Sequence, residues 1–196
     1  MRTFLALDIP NNFREDLANL IDDLRSYTKH EVNWVAPQNL HITFQFIGNT
    51  KPEDIPEITQ SASELFSSLF QADSLKSYLK DLSFSNPKLE IHPQNRPRII
   101  WISLISEDRK IFTINSKLKQ MLISKGYKLD SKPLKLHITL GRVKKRLPEI
   151  LIQRILTTEL NRKAIMVEQA TLYQSTLQPT GPVYTALAEF SFKNKE

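Results

Sequence analysis

Apolar residues recur along this chain in three rhythms, and each rhythm predicts an element. The run at 3–9, stopped by Pro10, predicts a buried strand. Phe13, Leu17, Leu20, Ile21 and Leu24 then return at helical spacing and predict a helix to about Tyr27. Asn11 or Asn12 is its expected cap, with Glu15 three residues beyond the second. Residues 29–31 read as a polar turn, 32–35 as a short strand and 37–39 as another turn. Strict alternation follows. Leu40, Ile42, Phe44 and Phe46 are predicted on one face of a strand, His41, Thr43 and Gln45 on the other. Gly48-Asn49-Thr50 ends it. Pro52-Glu53-Asp54 opens a second helix with acidic residues in its first turn, favourable against the helix dipole. Ile55, Ile58, Ala62, Leu65, Phe66 and Leu69 form its expected buried stripe.

The second half repeats the plan. Residues 74–85 alternate weakly and predict a strand; 86–97 hold three prolines and read as a polar loop between halves. Residues 98–105, with Trp101, predict an apolar strand. Ile111, Ile114, Leu118, Met121 and Leu122 mark a helix ending near Gly126, and 127–133 a loop. Alternation returns, with Leu136, Ile138 and Leu140 opposing His137, Thr139 and Gly141. A basic turn at 142–146, a helix over 148–160 and strands over 164–177 and 183–192, joined by a turn at 178–182, complete the chain. His41 and His137 lie 96 positions apart, as do Arg2 and Arg98, and Pro52-Glu53 and Pro148-Glu149. A duplication is expected: one two-lobed α+β unit over 1–196, with sequence halves of about 1–90 and 96–196 and a pseudo-twofold arrangement.

Composition narrows the chemistry. Lys and Arg exceed Asp and Glu by 27 to 21, a net charge of +6, which favours anionic partners such as phosphate or nucleic acid. The absence of Cys excludes disulfides, thiolate nucleophiles and Cys-ligated metals. With four Gly and no Gly-rich loop, a P-loop is not expected. Asp8 and Pro10 come too early for a signal peptide, and no apolar run approaches a membrane span. A cytoplasmic protein without membrane contact is the expectation.

Of the four histidines, His30 sits in a charged turn and His92 precedes Pro93 in a loop; both read as surface. His41 and His137 lie on apolar strands in one shared context, Leu-His-Ile-Thr-apolar. Imidazoles with an ordinary pKa of about 6.5 suit paired proton transfer: one accepts from water while the other donates to a leaving oxygen. Phosphodiester hydrolysis needs both transfers. Thr43 and Thr139 face the same way as their histidines and can donate hydrogen bonds to phosphate oxygens. Neither motif has a carboxylate on the same strand face, so no metal site is expected.

His41-Ile42-Thr43-Phe44 and His137-Ile138-Thr139-Leu140 resemble the paired HxTx signature of the two-histidine phosphoesterases. The branch they look most like is the RNA 2′,3′-cyclic phosphodiesterases, once called 2′-5′ RNA ligases. Flanking stretches at 2–10, 34–41, 96–101, 172–177 and 181–184 are similar too. The resemblance implies a bilobal fold with antiparallel sheets facing a central cleft. It implies cofactor-free, metal-free hydrolysis of an RNA-terminal 2′,3′-cyclic phosphate to a 2′-phosphate, with RNA as partner and no obligate protein partner. It implies His41 as proton donor to the departing 3′ oxygen, His137 as proton acceptor from water, and Thr43 and Thr139 as phosphate ligands. The chain departs from the pattern at Gln45, where a basic residue is frequent, at Gly141-Arg142, where Ala-Arg is common, and at Leu136, where Pro is common. Strict alternation puts Arg142 on the face opposite His137, so only a bulge or strand end brings it to the phosphate. Lys144, Lys145 and Arg146 read as a solvated turn or as an RNA contact; Trp34, Phe46 and Tyr173 are candidates for base stacking, with Phe46 placed in the core by alternation. Alternatives are 2′-5′ ligation, hydrolysis of 2′-5′ oligoadenylate or small cyclic nucleotides, and a non-catalytic RNA-binding module.

Overall fold

The computed structural model describes residues 1–71, 82–107, 109–179 and 181–192, without the side chains of 69–71. Along it run β1 (Arg2–Leu7), α1 (Asn11–Arg25), β2 (Val32–Trp34), β3 (Ile42–Asn49), α2 (Ile55–Gln71), β4 (Leu82–His92) and β5 (Ile99–Ile105). Then come α3 (Lys110–Ser124), β6 (His137–Val143), α4 (Glu149–Thr157), β7 (Ala164–Val167), β8 (Gln169–Gln178) and β9 (Gly181–Ser191). The mixed α+β class matches the expectation. No helix among the described residues is long and apolar enough to cross a membrane.

The strands form one curled antiparallel sheet in the order β7-β4-β5-β6-β3-β1-β8-β9, with β2 paired to β6. The order is symmetric about the β6–β3 contact: β5 matches β1, β4 matches β8 and β7 matches β9. The later strands cross over. β4, from the first half of the chain, pairs with β5, while β8, from the second half, pairs with β1. Helices are exchanged in the same way, α1 packing with α4 and α2 with α3. Arg154 of α4 pairs with Asp23 of α1 at 2.9 Å, and Arg162, beyond the end of α4, pairs with Asp16 of α1 at 2.7 Å. Tyr127 donates to Asp54 and Lys125 pairs with Glu57 at the second of these contacts.

The helical stripes explain which sheet face is covered. Phe13, Leu17, Ile21 and Leu24 of α1, Ile58, Ala62 and Phe66 of α2, and Ile111, Ile114, Leu118 and Leu122 of α3 are buried. They form one core with Leu5, Leu7, Ile42, Phe44, Ile100, Ile102, Ile138 and Leu140 of the sheet. The other face of the central strands carries the polar alternates.

Five boundaries differ from the sequence reading. Pro10, not an asparagine, precedes α1, and no side chain caps it. Residues 86–92, expected as loop, continue β4: the register shifts between Ser85 and Lys88, and Asn86 has φ 54°. A bulge there lets Pro87 sit in a strand without breaking a ladder bond. The strand expected over 164–177 divides at Glu168 into β7 and β8, and α4 stops at Thr157. Pro52–Asp54 form a 3-10 turn ahead of α2. Residues 74–81 and the Leu69 side chain lie outside the described residues.

Candidate active site

β3 and β6 meet at one ladder pair, Ile42 opposite Ile138. Beyond it β6 pairs with β2 instead, Trp34 lying opposite Gly141 and Asn33 opposite Arg142. Both isoleucines are fully buried on the helix side. Side chains alternate across a strand, so His41, Thr43, His137 and Thr139 emerge together on the other face. The antiparallel register points His41 towards Thr139 and Thr43 towards His137.

Each imidazole is held by the same local device. His41 Nδ1 lies 2.7 Å from the Asn39 carbonyl, and His137 Nδ1 lies 2.8 Å from the Lys135 carbonyl. A carbonyl only accepts, so Nδ1 carries the hydrogen in both rings and donates it. Nε2 is left as the reactive nitrogen. For His41 it lies 3.1 Å from Thr43 Oγ1. The lead-in to His41 is itself clamped. Arg14 donates to the carbonyls of Leu40 at 2.8 Å, Pro37 at 3.1 Å and Ile9 at 3.3 Å, and Asn39 Nδ2 donates to the Pro182 carbonyl at 2.9 Å.

Alternation fails at matched places just after each motif. Leu5 pairs with Gln45 and Ala6 with Thr43, so Phe44 is an extra residue in β3. Ile100 pairs with Gly141 and Trp101 with Thr139, so Leu140 is an extra residue in β6. Each bulge shifts the parity of the residues after it. Gln45 and Gly141 turn into the core side, while Phe46 and Arg142 turn to the histidine side. Gln45 is therefore not a cleft residue: it is 5% exposed and accepts from Asn115 Nδ2 of α3 at 3.2 Å. Phe46, expected in the core, is 44% exposed beneath the Arg2 guanidinium, 4.9 Å from its ring centre. Gly141 leaves little room for a side chain. A Cβ there would meet Val32 Cγ1 at 2.6 Å and Trp34 Cε3 at 3.0 Å.

The two walls are unlike. Beside His41, Phe4 and Tyr184 pack on the ring at 5.0 and 5.5 Å, and Tyr173 stacks on Phe4 at 5.5 Å. Beside His137, Trp101 lies 4.5 Å away, and His92 stacks on the same indole at 4.3 Å. Trp101 Nε1 donates to Glu90 Oε2 at 3.3 Å. The register sets His92, Ile99 and Arg142 in one row across β4, β5 and β6 on this face.

Burial lowers the pKa of His41 to about 4, and the cationic neighbours His137, Arg14 and Arg142 push the same way against the Asn39 hydrogen bond. His137 is also lowered, by burial first and then by Lys135, His92 and Arg142, against the Lys135 carbonyl. Burial raises Tyr184, which Arg142 and Arg2 partly offset. Arg142 thus acts electrostatically on both histidines and on the opposite wall. Among the described residues, no three His, Asp or Glu side chains are grouped to hold a metal ion.

The LigT-like phosphoesterase family model matches this chain over residues 7–83 and 104–184, both histidine motifs included. The chain belongs to that family. An RNA 2′,3′-cyclic phosphodiesterase of Archaeoglobus fulgidus is 31% identical over 97% of this chain and 99% of its own. One from Thermotoga maritima is 28% identical over 98% and 96%. A crystal structure from Thermus thermophilus superposes with a TM-score of 0.72 at 23% identity, covering all of both chains.

Within this LigT-like frame, the five residues singled out from sequence, His41, Thr43, His137, Thr139 and Arg142, emerge on one face. Trp34 does not join them: it pairs on the core side and its Nε1 donates to Thr28 Oγ1 at 3.2 Å. Tyr173 is a wall residue whose hydroxyl donates to Asp8 at 3.1 Å. His92, read as surface, is instead stacked into the His137 wall. Arg14, Phe4, Tyr184 and Trp101 were not singled out as site residues. Arg14 occupies the polar side of a helix, where its pattern matches any solvated arginine, and the aromatics match any core residue.

Proposed function

We propose that this chain hydrolyses the terminal 2′,3′-cyclic phosphate of RNA to a 2′-phosphate by proton transfer between His41 and His137, without a metal ion. The observation that carries this reading is the matched pinning of the two rings. Each donates Nδ1–H to the carbonyl two residues upstream, which directs each Nε2 to a shared face for proton transfer. The A. fulgidus and T. maritima relatives, named for this activity, support it over nearly the whole chain.

His137 Nε2 takes a proton from water as the water oxygen bonds to phosphorus. The bond from phosphorus to the 3′ oxygen breaks, and His41 Nε2–H gives that oxygen its proton. The products are a 3′-hydroxyl and a 2′-phosphate. Thr43 and Thr139 donate to non-bridging oxygens, and Arg142 offsets the charge that develops there. Burial first, and then the cationic His137, Arg14 and Arg142, disfavour the imidazolium that His41 needs as an acid, and the anionic substrate phosphate counters both.

The test is product analysis on a short RNA ending in a 2′,3′-cyclic phosphate. A 2′-phosphate end is expected, lost by at least about a hundredfold in rate in His41→Ala and His137→Ala, with chelator having no effect. A 3′-phosphate product, a joined strand, or full activity in either variant would overturn the reading.

A further inference from the structure

A second, strongly basic concavity lies beyond the cleft, at the far end of β6. It has a volume of about 550 Å³ and is lined among others by Arg96, Pro97, Lys144, Lys145, Arg146 and Glu149. Four cations face one carboxylate, and none of the four makes an ion pair among the described residues. The backbone around it is built into the sheet. Val143 N–H donates to the Arg98 carbonyl at 2.8 Å and Lys144 N–H to the Glu31 carbonyl at 2.7 Å. The concavity adjoins the site along the chain, its floor of Val143, Leu147 and Ile152 lying towards the helix side of the sheet. Its two loops leave the sheet beside His92 and Arg142, which belong to the last row of the cleft face. At about 3.3 Å per strand residue, Lys144 lies roughly 23 Å along β6 from His137, a span of several nucleotides.

We propose that this basic concavity holds the phosphodiester backbone of the RNA several nucleotides upstream of its reacting end. The inference rests on the reading of the cleft as a site for an RNA terminus. A solvated turn would scatter its lysines. Here they line one concavity with Arg96, from a separate loop, just beyond Arg142 in the chain. Single-stranded RNA is held by such positive tracks without base readout, and each phosphate contact adds salt dependence. The surface therefore distinguishes a strand from a mononucleotide, and it does so without regard to sequence.

The experiment measures binding apart from turnover. Fluorescence anisotropy compares an RNA of about eight nucleotides ending in a 2′-phosphate with a mononucleotide 2′-phosphate as competitor. The variant Lys144→Gln/Lys145→Gln changes two exposed side chains outside the catalytic face. About a tenfold loss of RNA affinity is expected, with mononucleotide affinity unchanged. Loss of two phosphate contacts also flattens the salt slope by about 1.4, so the drop in affinity between about 50 and 200 mM salt becomes some sevenfold smaller. Equal RNA affinity in wild type and variant, or an equal loss for the mononucleotide, overturns the proposal. A wild-type protein that binds RNA in this way but leaves cyclic ends intact would overturn the hydrolase reading alone. One that hydrolyses cyclic ends yet binds the strand no better than the mononucleotide would overturn the RNA track alone.

Discussion

Ile42 and Ile138 stand opposite each other where β3 meets β6, and among the described residues they are the ladder pair that joins the two histidine strands. They form the floor from which all four polar side chains of the motifs rise. Ile138→Ala should cost about 2–5 kcal/mol of stability, as a fully buried aliphatic residue in a packed core does. It should also lower kcat more than it raises KM, because a small displacement of His137 relative to Thr43 spoils the reacting geometry. Denaturant titration and steady-state kinetics check this. An unchanged kcat would mean that the upstream carbonyls alone place the rings.

The two threonines should act mainly in the transition state. Thr43→Val and Thr139→Val each remove one donor and keep the side-chain shape. A kcat loss of about a hundredfold is expected in each, with KM for a cyclic nucleotide nearly unchanged. Thr43→Val should in addition alter the pH–rate profile, since Thr43 Oγ1 faces His41 Nε2 at 3.1 Å. A loss expressed wholly in KM would assign these hydroxyls to ground-state binding.

Acid should destabilise the protein through His41. Its folded pKa, about 4, lies below the ordinary 6.5, so the unfolded chain binds a proton first as pH falls. Stability fully present above pH 6.5 is then lost towards pH 4, by at most about 3 kcal/mol from this group, and His137 shifts in the same direction. The urea midpoint should fall across that window, and His41→Gln should flatten the fall. The same shift predicts proton uptake when a 2′-phosphate product binds near pH 6. Calorimetry in buffers of different ionisation enthalpy reads it, and an uptake no larger in wild type than in His41→Gln, where the phosphate's own ionisation is the same, would refute His41 as the acid.

Gly141→Ala should destabilise by about 1–3 kcal/mol, because the added methyl would lie 2.6 Å from Val32 Cγ1. Thermal melting checks this. If β2 shifts to make room, its neighbour Arg142 should move with it, and KM should rise as well.

The periodic parts of this fold were legible in the sequence. The stripes of α1, α2 and α3 and the alternation of Leu40–Phe44 and Leu136–Leu140 each reflect one period and one buried face. The His41–His137 pairing was legible because two like strands, 96 positions apart, carried the same residues. Less legible were features that depend on pairing between strands. The bulge at Phe44 has no local signature, so Phe46 and Gln45 were assigned to the wrong faces. The need for a bulge at Arg142 could be stated, but its presence at Leu140 depends on register with β5. His92 looked like a loop residue because Pro87, Pro93 and Pro97 surround it, and β4 absorbs the first of these in a bulge.

The paired bulges have a consequence for direction. A scaffold with two matching halves would accept a nucleotide in either of two senses, related by half a turn. A strand of RNA has no such symmetry, and a site that admitted both senses would present the wrong oxygen to the acid half of the time. At the position where each bulge turns a side chain inward, the halves differ: Phe46 is apolar and Arg142 is a cation. One sense sets phosphate charge beside a guanidinium on the histidine strand itself, the other beside a benzene ring covered by Arg2 of β1. The unlike pair gives the cleft a polarity that the backbone lacks.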